Sequence, residues 1–124
     1  MKYIIAPDSY KGSLSAAEAA ECMERGIRDA DPDADVAKIP LADGGEGTVE
    51  ALVSAAGGTI REVEATGPLG EPVRAFYGVL SDGTTAVIEM AAASGITLVP
   101  RERLNPLAAT TFGTGQLIRA ALDA

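Results

Sequence analysis

PLADGGEGTVEAL, Pro40–Leu52, runs from an apolar stretch through three glycines and two acids into an apolar helical pattern. Its front belongs to VAKIPL, a short strand-like run. Its back opens VEALVSAA, where Val49, Leu52, Val53 and Ala56 share one helical face and Thr48 is placed to cap the start. Gly57 and Gly58 then end the helix. An ordinary turn needs one glycine, so Gly44, Gly45 and Gly47 within four positions suggest that backbone comes very close to something. Upstream the same order occurs. KYIIA reads as a buried strand ended by Pro7, PDSYKGSL as a loop, and SAAEAAECMERGIRDA as a helix. Ala16, Ala20, Met23, Ile27 and Ala30 fall on one face of that helix, and Ser15 with Glu18 three positions later forms a capping-box signature. The acidic turn DADPDAD follows; it lacks the central glycine and closing glutamate of a calcium loop. Two successive strand–loop–helix units predict a parallel sheet with helices packed on it.

Downstream the pattern changes. TIREVEATGP reads as a strand, and VRAFYGVL and TTAVIEMA flank Asp82-Gly83, a hairpin signal. GPLGEP, Gly67–Pro72, is a rigid connector, and the whole predicts a mixed or antiparallel β-hairpin subdomain. EMAAASGI suits a short helix of small residues. LVPRERLNPLAATTFGTG reads mostly as loop. QLIRAALDA starts a helix with Leu117, Ile118 and Leu122 on one side, and it reaches Ala124 without a C-cap, as though interrupted.

Composition narrows the chemistry. The 124 residues hold no histidine, which excludes serine–histidine and cysteine–histidine nucleophiles and most zinc sites. Cys22 is the single cysteine, so no intrachain disulfide forms and a reducing, cytoplasmic setting is expected; the residue itself reads as inert packing or edge surface. A net charge of −8 disfavours nucleic acid and anionic membrane surfaces as partners, and no stretch has transmembrane length. Small anions remain possible ligands wherever local donors or a cation offset the charge.

Three segments combine Ser, Thr and Gly with a following helix start, where unpaired N–H groups and the helix dipole attract anions. In PDSYKGSLS, Lys11 suits a phosphate or carboxylate, Asp8 a metal or hydroxyl, and Ser9 and Ser13 add donors; a plain connection with a solvated lysine explains it equally well. In LADGGEGT, Asp43 and Glu46 would repel one another unless a divalent cation or substrate hydroxyls intervene, whereas in a bland reading Glu46 merely favours the helix start. In TTFGTG, Thr111, Gly113, Thr114 and Gly115 offer hydroxyls and amides to a phosphate, or simply a threonine-capped helix. Glu89, at the end of an apolar strand, either faces water or is buried with a partner. None of these loops has the Walker or dinucleotide-binding order.

IAPDSYKGSLSA, PLADGGEGT, TGPLGEPV, VIEMAAASGI and NPLAATTFGTGQLI, in that order and at matching intervals, resemble the N-terminal part of the bacterial-type glycerate kinases, the first of the glycerate kinase families. The likeness runs from Met1 to Ala124, with small departures such as Gln116 where the family often has glutamate. It implies ATP- and Mg²⁺-dependent phosphorylation of D-glycerate to 2-phosphoglycerate by a two-domain α/β kinase with a Rossmann-like domain. It also implies a longer chain, of which this would be an incomplete N-terminal fragment, inactive without the missing C-terminal part. The expected division is 1–58 Rossmann-like, 59–100 a mixed β segment of the second domain, and 101–124 a loop and truncated helix. The expected site joins Asp43, Lys11 and Glu46 as catalytic groups, with Asp43 on Mg²⁺. Asp8, Ser9, Ser13, Gly44, Gly45, Gly47, Thr48, Thr111, Gly113, Thr114 and Gly115 would hold substrate and phosphate. Two alternatives stay open: a non-catalytic anion-binding fragment, and a kinase for another small hydroxy-acid.

Overall fold

The computed structural model describes residues Met1–Ala124, which divide into two compact units, Met1–Gly47 and Thr48–Ala124. The helix after Gly47 packs on the strands that follow it.

In the first unit, strand β1 (Lys2–Ile5) pairs in parallel with β2 (Asp35–Lys38), Lys2 opposite Asp35 and Ile5 opposite Lys38, with helix α1 (Ala16–Ala30) between them in sequence. A parallel pair needs such a crossover because the chain must return to its starting end. Local chemistry sets the start of α1. The Ser15 hydroxyl accepts from the Glu18 N–H at 3.2 Å, and the Glu18 carboxylate accepts from the Ser15 N–H at 2.8 Å. These bonds from Ser15, the backbone N–H first and the hydroxyl second, hold the Glu18 carboxyl below its ordinary value of about 4.5. A carboxyl depressed in the folded state adds stability above its unfolded pKa and loses it as pH falls through the lower folded value. Protection factors of amides in the first turn of α1, corrected for the intrinsic pH dependence of exchange, are therefore expected to fall as pH drops below about 4.5. Ser15→Ala should weaken the helix by about 1 kcal/mol at neutral pH. Protection factors that stay flat with pH, and unchanged in the variant, would contradict this account. Farther along α1, Lys38 of β2 binds Glu21 and Glu24, the latter at 2.7 Å. Lys38 first and Arg28 second hold the Glu24 carboxyl low, and the same two glutamates push the Lys38 ammonium up.

Of the predicted apolar face of α1, Ala20 is buried but Met23 stays 41% exposed. A two-stranded sheet is too narrow to cover a fifteen-residue helix. The uncovered remainder forms an open apolar groove lined by Tyr3, Ile4, Pro7, Met23, Ile27 and Ala30.

The second unit is an antiparallel sheet of β3 (Gly58–Thr66), β4 (Pro72–Leu80) and β5 (Ala86–Ile88), in that order, with helices α2 (Thr48–Ala56), α3 (Ala91–Ser94) and α4 (Phe112–Leu122). Register is fixed from Gly58 opposite Leu80 to Thr66 opposite Pro72. Ala65, Ala75 and Tyr77 meet Ala92, Ala93 and Leu117 in the core, where Leu117 is 0% exposed. The Tyr77 hydroxyl donates to the Ala120 carbonyl at 3.4 Å, joining α4 to β4. Gly78 points at α2: a Cβ there would lie 2.7 Å from Val53 Cγ2 and 3.2 Å from Val49 Cγ1. The hairpin between β4 and β5 is wider than a two-residue turn. The Asp82 carboxylate organises it by accepting from the Thr85 hydroxyl and from the Thr84 and Thr85 N–H groups. These bonds, the Thr85 hydroxyl foremost, keep the Asp82 carboxyl below the usual carboxylate range.

The segment expected to be mostly loop holds two short 3-10 turns, Ile96–Leu98 and Arg101–Arg103. Helix α4 starts at Phe112, not Gln116, so Gly113, Thr114 and Gly115 lie in its first turns. Tertiary packing outweighs the poor helix propensity of glycine here.

Candidate active-site loops

The parallel pair β1–β2 continues beyond its strands through the Ile39 N–H to the Ile5 carbonyl at 2.8 Å and the Leu41 N–H to the Pro7 carbonyl at 2.9 Å. The two loops that follow therefore leave the same carboxyl edge of one sheet, the edge at which α/β proteins bind ligands. One loop carries Asp8, Ser9, Lys11 and Ser13. The other carries Asp43, Gly44, Gly45, Glu46 and Gly47.

Each loop is shaped by its own short contacts. In the first, Asp8 accepts from the Ser9 N–H at 2.7 Å. The Ser13 and Leu14 N–H groups both donate to the Tyr10 carbonyl, a tight bend that leaves Lys11 on the exposed surface. In the second, Asp43 Oδ1 accepts from the Gly45 N–H at 2.9 Å, so the side chain folds back on its own turn. Gly44 and Gly47 have φ of 96° and 90°, a region open to glycine and costly for other residues. A Cβ at either would meet nothing within 4 Å, so the loop is bordered by open space. Asp43 and Glu46 are exposed.

The remaining sequence candidates lie in the second unit, and Glu89, Gly113 and Thr114 have structural partners there. Glu89 is 2% exposed and accepts from the Val49 N–H, in the first turn of α2, at 3.3 Å. Of its two sequence readings, the buried one with a partner holds. Helix α2 begins at Thr48 itself. Gly113 is buried where α4 crosses the end of β3: a Cβ would lie 2.1 Å from the Thr66 carbonyl oxygen and 3.1 Å from Ala93 Cβ. The close approach that makes glycine necessary at that position is to β3. Thr114 Oγ1 lies 2.8 Å from Ser94 Oγ, a hydroxyl pair that sequence reasoning did not single out because its members are twenty positions apart. Thr111 precedes α4 without a side-chain cap bond, and Gly115 has open space at its Cβ position. Gln116 Oε1 accepts from the Thr66 N–H at 2.7 Å. A glutamate could accept the same bond, so this departure from the family pattern keeps the contact.

No group of three or more His, Cys, Asp or Glu side chains converges as a metal cluster. Mg²⁺ does not require one, since it commonly takes one or two carboxylates with phosphate oxygens and water. Asp43, exposed on a loop with open space beside it, has the donor type that such an ion uses. No helix is long and apolar enough to cross a membrane.

Comparison with known proteins gives this geometry a family. A family model described as "Glycerate kinase family" matches residues 3–124. A glycerate kinase of Bacillus subtilis strain 168 is 66% identical over 124 residues, covering 100% of this chain and 32% of that protein. A glycerate 2-kinase of Escherichia coli strain K12 is 57% identical over 123 residues, covering 99% of this chain and 32% of that protein. A crystal structure from Salmonella typhimurium LT2, of a protein provisionally named glycerate kinase 2, superposes with a TM-score of 0.71 at 61% identity, covering 99% of this chain and 33% of that one. The chain thus spans about a third of the length of the relatives it matches. From the near-complete match and the high identities, this chain belongs to the glycerate kinase family.

Proposed function

We propose that, in a protein of its relatives' length, this chain takes part in ATP-dependent phosphorylation of D-glycerate to 2-phosphoglycerate. The observation that carries the reading is the pairing of the Lys11 and Asp43 loops at one carboxyl edge of a parallel sheet, in a chain of the glycerate kinase family. Phosphoryl transfer asks mainly for positioning and charge stabilisation, so a site without histidine can perform it. Asp43 orients the glycerate hydroxyl or takes Mg²⁺, with Glu46 as the second acid. Lys11 neutralises the glycerate carboxylate or a phosphate oxygen, assisted by Asp8, Ser9 and Ser13. Backbone at Gly44, Gly45 and Gly47 supplies the remaining polar contacts of this edge; Thr111, Thr114 and Gly115, at the start of α4 in the second unit, are a separate candidate for anion contacts. ATP, when bound, supplies the transferred phosphoryl group. Dependence on the 2-hydroxyl is supported by the name of the Escherichia coli relative, and a cytoplasmic setting by the single, exposed cysteine.

The open groove between β1 and α1, with Ile4 66% exposed, supports a further part of the same protein covering that face. The 124 residues alone are therefore expected to be inactive. The test is an assay of glycerate-dependent ATP consumption by the 124-residue chain and by the protein of its relatives' length, with the product identified by phosphorus NMR. Turnover in the longer protein only, yielding 2-phosphoglycerate, is the expected result. Turnover with a different hydroxy-acid and not glycerate would overturn the substrate assignment. No turnover in either form would leave the non-catalytic, anion-binding reading standing.

A further inference from the structure

We propose that Glu89 is a positioning residue: its buried carboxyl occupies the N-terminal end of α2 and thereby fixes the downstream end of the Asp43–Gly47 loop. The inference rests on the reading of that loop as part of a phosphotransfer site.

Glu89 is the one charged residue buried with the core side chains, at 2% exposure, and the Val49 that donates to it is 0% exposed. Taking a carboxyl out of water costs several kcal/mol unless hydrogen bonds replace the lost hydration. A surface-facing glutamate at the end of β5 would avoid that cost, and packing at this position would be served by an apolar residue. What the carboxyl adds is a directed acceptor at the positive end of a nine-residue helix.

That helix begins at Thr48, directly after Gly47. A segment with glycines at 44, 45 and 47, two of them at positive φ, loses more conformational freedom on ordering than any other composition would. It holds one geometry only if its ends are held. Glu89 holds the first turn of the helix that directly follows its downstream end.

A second consequence follows for ligand binding. Helix N-termini attract phosphate through unpaired amides, but at α2 a carboxyl of the protein already holds the Val49 N–H. The phosphate groups of the substrates are therefore held away from that amide, and the Asp43 loop serves the hydroxyl or cation side of the reaction.

The experiment uses the protein of its relatives' length with Glu89→Gln and Glu89→Asp. The first keeps an acceptor and removes the charge; the second keeps the charge and shortens the reach. In both, amide exchange at Val49 and across residues 43–48 should speed up about tenfold, while Leu117 in the core is unaffected. The kcat should fall about tenfold with KM for ATP within about twofold, because the loop is populated less often in its working geometry. In the unsubstituted protein, inorganic phosphate should leave the Val49 amide resonance unmoved. Unchanged exchange at Val49 and the loop in both variants would refute the positioning role. So would faster exchange with full kcat, or a saturable shift of Val49 with phosphate. The exchange and phosphate readouts do not need turnover, so they remain decisive even if the protein proves not to phosphorylate glycerate.

Discussion

Replacing Gly113 with alanine is expected to destabilise the second unit by about 3 kcal/mol or more, read as a lower urea midpoint of the protein of its relatives' length. The added methyl would sit 2.1 Å from the Thr66 carbonyl oxygen and 3.1 Å from Ala93 Cβ. Neither obstacle is the mobile tip of a side chain, so α4 would have to move away from β3. That movement would stretch the Gln116 bond to the Thr66 N–H, now 2.7 Å, and lift Leu117 from a site where it is 0% exposed. Gly115→Ala is the paired control. Its Cβ would enter open space, and alanine is the better helix former by about 1 kcal/mol, so this variant should be neutral or more stable. Two glycines two positions apart thus carry opposite expected signs. Equal midpoints for the two variants would show that close packing does not explain Gly113.

Asp43→Asn is expected to lower kcat for glycerate phosphorylation by roughly 10² to 10³ while leaving the fold intact. The substitution is informative because the amide oxygen can still accept the Gly45 N–H bond, now 2.9 Å, so the turn keeps its shape and only the charge is lost. Lys11→Met removes an exposed cation from the neighbouring loop and should raise the KM of an anionic substrate about tenfold or more. The pair separates two roles, one acting in the transition state and one in binding. Full activity in both variants would remove these residues from the site.

Much of the architecture was legible in the residues. Ser15 and Glu18 marked the start of α1, and both bonds of the box are present. The two strand–loop–helix units did produce a parallel pair, and the Asp82-Gly83 signal did fall between antiparallel strands. The loops carrying Lys11 and Asp43 leave one sheet edge because parallel strands connected by a helix must end on the same side. Other features were not legible. The apolar stripe of α1 placed Met23 on the same face as Ala20, yet Met23 stays open, since coverage depends on how many strands lie beneath it. TTFGTG read either as loop or as a threonine-capped helix start, and packing against Thr66 draws Phe112 to Gly115 into α4.

By itself, the sequence determined the elements governed by near neighbours: where α1 begins, where the glycine-rich bends fall, and which family the ordered motifs belong to. Its lack of histidine also limited the chemistry before any fold was known. Only the tertiary structure decided that Glu89 is buried against Val49, forty positions away, and that Gln116 meets Thr66, fifty positions away. It also decided that Gly113 is a packing contact on β3. The physical reason is that capping and turn geometry involve atoms a few residues apart. Burial of a carboxyl or exclusion of a methyl depends on which distant segments the folded chain brings within a few ångströms.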